Sequence, residues 1–228
     1  MTEPTRASST VVHPSGLRPQ GLVDEVVAQR GGRVHMYDSL DGPRTAFVVV
    51  DLDERSCQRA GTDDRLYGPV NAVAAAVRDA GGTVAFVTTS IPSPYWVALS
   101  LGPELAAEQY AAVRSGAATR LAAEIDVGPA DLRAVKARAS ALFPDNCDLH
   151  HRLRAHDVEH VLVGGLLTDI GCESTARDAY ELGYEVTMVS DALVPDAWGL
   201  HEASLASLYG VFGDVRPSRE VIELLRGP

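Results

Sequence analysis

With 228 residues, 46% of them hydrophobic, the chain has the length of one α/β domain and enough apolar material to build a covered sheet. A formal net charge of −11 and a pI near 5.0 argue against a nucleic-acid surface or an anionic membrane as partner. The three cysteines, Cys57, Cys147 and Cys172, form no Cys-x-x-Cys pair, which suits a reducing compartment better than a disulfide framework; the expected location is the cytoplasm.

Residues 1–20 are rich in Thr, Ser and Pro and lack the apolar core of a signal peptide, so they read as a flexible tail, with one domain over 21–228. No segment is long enough to span a membrane. The run from Thr45 to Val50, closed by Asp51, predicts a strand buried on both faces. Pro69–Ala80 predicts a helix, with Val70, Val73, Ala74 and Val77 on one stripe and Gly81-Gly82 as its stop. Thr83–Thr88 predicts the second strand. Between Ser90 and Gly116 come Pro92, Pro94, Tyr95 and Trp96 and then a helical Pro103–Val113, read as an excursion that forms a lid or an oligomer contact. Further strands are predicted at Leu132–Lys136, Glu159–Gly165 and Tyr184–Ser190, and further helices at Leu149–Ala155, Asp169–Leu182, Leu200–Val211 and Ser218–Leu225. Strands alternating with helices predict a three-layer α/β/α fold around a parallel, doubly wound sheet.

Ligands of such sheets gather beyond the carboxyl ends of the strands, and three features converge there. Asp51 closes the first strand at the edge of a low-dielectric region; its bland alternative is a turn cap or an arginine partner. Lys136 follows the third strand and pairs with Asp51 if the two strands are neighbours; taken alone it reads as a solvated lysine. The Gly165–Cys172 turn opens a helix whose first amides suit a negative charge, with Thr168 or Asp169 as N-cap; taken alone it is an ordinary capped helix. His150 and His151 are adjacent on one helix and read as surface residues.

In order and spacing, these pieces resemble the isochorismatase-like hydrolase superfamily from about Arg33 to Arg226. Thr45–Asp51 resembles the family's apolar strand and catalytic aspartate. Lys136-Ala-Arg138-Ala-Ser140-Ala-Leu-Phe143 resembles its Lys-x-Arg-x-Ser-Ala-x-Phe segment with the catalytic lysine. The stretch from Gly165 through Thr168, Gly171, Cys172 and Thr175 to Ala179 resembles the nucleophile turn and its helix, and Asp191-Ala192 the acid after the next strand. The resemblance implies catalytic roles for Asp51 and Lys136, a cis peptide at Leu166–Leu167, and the N–H groups of Leu167 and Gly171 as oxyanion donors. It also implies substrate contacts from Thr168, Arg138 and Trp96, and a homodimer or homotetramer with Pro92–Trp96 and Trp198 as contact or wall residues.

Members with an Asp–Lys–Cys triad hydrolyse amides through a thiolate. Here the nucleophile slot is Gly171 and Cys172 falls one residue later, about 100° around the helix and toward its packed side. True isochorismatases, which cleave a vinyl ether by protonation and addition of water, also carry glycine in that slot. After the aspartate, however, Leu52-Asp53-Glu54-Arg55-Ser56 replaces the usual Met-Gln-x-x-Phe. Thr88-Thr89-Ser90-Ile91-Pro92 likewise replaces a Thr-Ala-Gln-Pro segment, so ordinary isochorismate binding is not expected. The missing Asp-x-His pair implies no metal site, and no cofactor is implied.

The preferred expectation is a cysteine-independent enzyme in which Asp51 and Lys136 carry acid–base chemistry on a small carboxylate- or carbonyl-bearing metabolite of specialised metabolism. The bond cleaved would be a vinyl ether or a C–N or C–O bond. The alternatives are a non-catalytic binding or assembly member of the family and an amidohydrolase using Cys172.

Overall fold

The computed structural model describes residues 20–90, 102–115, 120–195 and 200–227. Residues 1–19 of the expected tail, Pro92–Trp96 and Trp198 therefore lie outside the described residues, while Gln20 opens the first helix. Six strands form one sheet in the order β3-β2-β1-β4-β5-β6, with every neighbouring pair parallel. They are β1 (Thr45–Val50), β2 (Thr83–Thr89), β3 (Leu132–Lys136), β4 (His160–Gly165), β5 (Glu185–Leu193) and β6 (Asp214–Arg216).

All six residues of β1 and of β4 are buried, because helices cover both faces and successive side chains alternate between them. On one face Ala46, Val48 and Val50 belong to one core with Val23 and Val26 of α1 (Gln20–Gln29) and with Leu149 and Leu153 of α5 (Leu149–Ala155). Ala176 and Ala179 of α6 (Glu173–Glu181) and Leu205 of α7 (His201–Ser207) complete that layer. On the other face Phe47 and Val49 pack with Cys57 of α2 (Glu54–Ala60) and with Leu66, Val70, Val73 and Val77 of α3 (Asp64–Asp79). Val221 of α8 (Ser218–Arg226) joins them. Helix α4 (Pro103–Ser115) is tied to α2 where the Arg55 guanidinium donates to the Glu108 carbonyl. The three-layer fold expected from the alternating pattern is the one observed.

Several local readings need correction. Helix α3 starts five residues before Pro69, with the Asp63 carboxylate accepting from the Arg65 N–H. Helix α2 was not anticipated: it is short and polar, capped by Asp53 and closed by Gly61 at φ +65°. Strand β6 was missed because its charged ends look like a loop; Asp214 and Arg216 are buried because they pair with each other and with His35. The helix expected over Leu200–Val211 changes after Ser207 to a π-helical turn, Leu208–Phe212. Asp191 lies inside β5, not beyond it, and its carboxylate caps α8 by accepting from the N–H and hydroxyl of Ser218. His150 is half-buried against Tyr184, whose hydroxyl is 3.0 Å from Nδ1, whereas His151 is exposed.

The chain leaves β1 toward β2 on one side and later returns to place β4 on the other. The crevice beyond β1 and β4 is thus a topological switch point, where open α/β sheets bind ligands.

Candidate functional site

Gly165 sets the geometry of the switch point. It pairs with Val50 in the β1–β4 register and has φ +116°, and a Cβ there would lie 2.0 Å from the Val50 carbonyl oxygen. Only glycine permits so close an approach of the two strand ends. The chain then turns through a cis Leu166–Leu167 peptide into a π-helical turn, Thr168–Cys172, that leads into α6. Neither Thr168 nor Asp169 caps it: Leu167 holds the N-cap position, without a side-chain bond. Leu167 offers its carbonyl to the N–H groups of Ile170 and Cys172, while its own N–H meets no acceptor among the described residues.

Asp51 is the first residue past β1. Its N–H still bonds to the Val87 carbonyl at 2.7 Å, but its φ of +55° turns the chain out of the strand. Non-glycine residues adopt this region rarely, aspartate more readily than most, as Asp145 and Asp157 also do here. Asp51 Oδ2 accepts from Lys136 Nζ at 2.7 Å, and Oδ1 accepts from the Thr89 hydroxyl at 2.8 Å. Lys136 is 1% exposed, a depth lysine reaches only with partners for its charge.

The two strands that carry this pair are not neighbours. Strand β2 lies between β1 and β3, so their backbones are about 10 Å apart at the ordinary strand spacing. The long lysine side chain spans the gap, and Thr89, at the end of β2 and in register with Lys136, fills it. Thr89 was missed by sequence reasoning, because a threonine ending a strand looks like any other β-former.

Gly171 completes the wall. A Cβ on Gly171 would lie 3.3 Å from Asp51 Oδ2, so this backbone position aims at the carboxylate. Its carbonyl accepts from the buried Thr175 hydroxyl at 2.6 Å, and that hydroxyl accepts from the Ala141 N–H at 2.9 Å. The turn and the segment after Lys136 are thereby held together.

Cys172, one residue on, is fully buried, and its thiol donates to the Gly164 carbonyl at 3.6 Å. It packs with Val48, Val50 and Ala176, and burial, with the Asp51 charge adding, raises its thiol well above the ordinary value.

The remaining residues singled out in the sequence are less central. Thr168 is buried with its hydroxyl donating to the Val194 carbonyl at 2.9 Å, 2.8 Å from His201 Nδ1, and not to Asp51. Arg138 contributes its carbonyl, which accepts from Lys136 Nζ at 3.2 Å, while its side chain is exposed. Trp96 is outside the described residues. In the Leu52–Ser56 segment that replaces Met-Gln-x-x-Phe, Asp53 is a helix cap; burial pushes its carboxyl up against the pull of the Ser56 donors. Among the described residues no three His, Cys, Asp or Glu side chains form a metal-binding group, and no helix is long and apolar enough to cross a membrane.

Known proteins share this architecture and sequence pattern. The isochorismatase domain model matches residues 45–220. The isochorismatase family protein YecD of Escherichia coli O157:H7 is 29% identical over 189 residues, covering 82% of this chain and 98% of that protein. The ureidoacrylate amidohydrolase RutB of Variovorax paradoxus is 29% identical over 180 residues, covering 68% and 70%. The crystal structure of a cysteine hydrolase from Pseudomonas syringae pv. phaseolicola superposes with a TM-score of 0.69 at 23% identity, covering 84% of this chain and 97% of that one, a likeness of fold. With the domain match running from the first strand into the last helix, the chain belongs to the isochorismatase family.

Proposed function

We propose that the protein hydrolyses a C–N or C–O bond in a small carboxylate- or carbonyl-bearing metabolite without a cysteine nucleophile, with Asp51 as the proton-handling group. The observation that carries this reading is the pair at 171 and 172. Glycine occupies the position that faces Asp51 Oδ2, and the thiol beside it is bonded to a core carbonyl. To reach Asp51 the thiol would have to swing round the turn to where residue 171 stands and leave its packing.

Each oxygen of Asp51 accepts one hydrogen bond, and Oδ2 keeps a second lone pair that can take a proton. In the proposed reaction a water molecule above Gly171 gives a proton to Asp51 as its oxygen attacks the electrophilic carbon. Negative charge develops on the substrate oxygen, facing the N–H groups of Leu167 and Gly171. Collapse breaks the bond to the leaving group, which takes the proton from Asp51. Arg138, exposed two residues beyond Lys136, suits a substrate carboxylate.

The test is a turnover screen of carboxylate-bearing amides, ureides, esters and vinyl ethers. Asp51→Asn is expected to lower kcat/KM by about 10²–10⁴-fold. Cys172→Ala should stay within about threefold of the unmodified protein. Comparable loss from both variants, or rapid native alkylation of Cys172 by iodoacetamide, would restore the amidohydrolase. Tight binding without turnover would mark a binding member of the family.

A further inference from the structure

The ammonium of Lys136 has three N–H bonds, and all three are used inside the protein. They go to Asp51 Oδ2 at 2.7 Å, to Thr89 Oγ1 at 2.6 Å and to the Arg138 carbonyl at 3.2 Å. None is left for a bound molecule, and the side chain is 2% exposed. Lys136 thus acts on whatever enters the site through Asp51.

The direction of the Thr89 hydroxyl follows. An ammonium has no lone pair, so Thr89 can only accept from Lys136, and its single proton is directed to Asp51 Oδ1 at 2.8 Å. Asp51, Lys136 and Thr89 close a ring of three hydrogen bonds across the ends of β1, β3 and β2. Within it Oδ1 is turned to Thr89, while Oδ2 borders the space at Gly171, 3.3 Å from where a Cβ would stand. The composition agrees with so specific a demand: of the 20 cationic side chains in the sequence, 19 are arginine and Lys136 is the single lysine. A planar guanidinium cannot send three donors to three such directions from one point.

We propose that Thr89 is a positioning residue of this site: its hydroxyl occupies Oδ1 and braces Lys136, so that Asp51 exchanges protons with a bound molecule through Oδ2 alone. The proposal rests on the reading of Asp51 as the proton-handling group, and its test needs no substrate.

Aspartate carboxyl carbons are labelled with carbon-13 in the full chain, and the Asp51 resonance is identified by its loss in Asp51→Asn. Its pH titration is then followed by NMR in the unmodified protein, in Thr89→Val and in Thr89→Ser. Removing a donor from a carboxylate disfavours the charged form, so the Thr89→Val midpoint is expected about one pH unit higher. Thr89→Ser, which keeps the hydroxyl, should return it to within about 0.3 unit of the unmodified protein. A Thr89→Val curve that superimposes on the unmodified one, or a serine variant that shifts as far as valine, overturns the proposal. Thr89→Ala gives the same reading if the valine variant does not fold. Turnover retained in Asp51→Asn alongside the valine shift would sink the proposed function and leave the ring standing.

Discussion

A Cβ added at Gly171 would meet Val50 Cγ1 at 3.0 Å and the Leu166 carbonyl at 3.2 Å, besides Asp51 Oδ2 at 3.3 Å. Each distance is tighter than ordinary contact, so something must give by a few tenths of an ångström. Val50 is locked in the core and Leu166 contributes backbone, which leaves the Asp51 carboxylate as the mobile neighbour. Gly171→Ala is therefore expected to push Asp51 off its ring. In a steady-state assay kcat/KM should fall about 10–100-fold, while urea unfolding shows a loss of about 1–2 kcal/mol. An alanine variant with full turnover would mean that the carboxylate does not work from this position. At the same scale, what could be read in the sequence has a clear limit. Asp51, Lys136 and the Gly165–Cys172 turn stand out because a charge or a glycine run at the end of an apolar strand breaks a pattern. Thr89 breaks none, and the exposed side chain of Arg138 gives no sign that its carbonyl is the third acceptor of Lys136.

At the opposite end of the sheet, the amino-terminal ends of β4 and β6 each begin with a buried ionisable group. His160 of β4 is 4% exposed, with Nδ1 3.1 Å from Glu185 and Nε2 2.9 Å from the Thr187 hydroxyl. Burial lowers its pKa below the ordinary histidine value, against the pull of Glu185. Asp214 of β6 is fully buried; burial alone would raise its carboxyl, but His35 and Arg216 hold it below the usual value. Both groups therefore bind protons more readily in the unfolded chain than in the folded one. Their contribution to stability is complete above the unfolded pKa and is lost as pH falls through the folded value. For His160 the loss begins below about pH 6.5, and for Asp214 below about pH 4. Unfolding free energy from urea titrations should decline from pH 7 to pH 5. His160→Gln should flatten that decline, and an equally steep decline in the variant would place the cause elsewhere. None of this was visible in the sequence, because Asp214-Val-Arg216 becomes a strand only when its two charges find each other and His35.

For the molecule as a whole, the alternation of apolar runs and amphipathic stripes was enough to predict a covered parallel sheet, since each element repeats a period that burial enforces. Sheet order was not legible: no local pattern says that β2 separates β1 from β3 or that β6 exists at all. The partnership of Asp51 and Lys136 consequently looked like a matter of adjacent strands. It is instead a span across an intervening one, made possible by side-chain length.

The isolation of Lys136 gives the protein a built-in reporter. Apart from any terminal amine, every amino group the chain offers to an acylating reagent is this one, and it is sealed beneath the crevice. Treated with an N-hydroxysuccinimide ester and weighed intact, the native protein should carry no label at residue 136 and the urea-unfolded protein one. The rate at which that mass appears under native conditions then measures how often the crevice opens deeply enough to bare its cation.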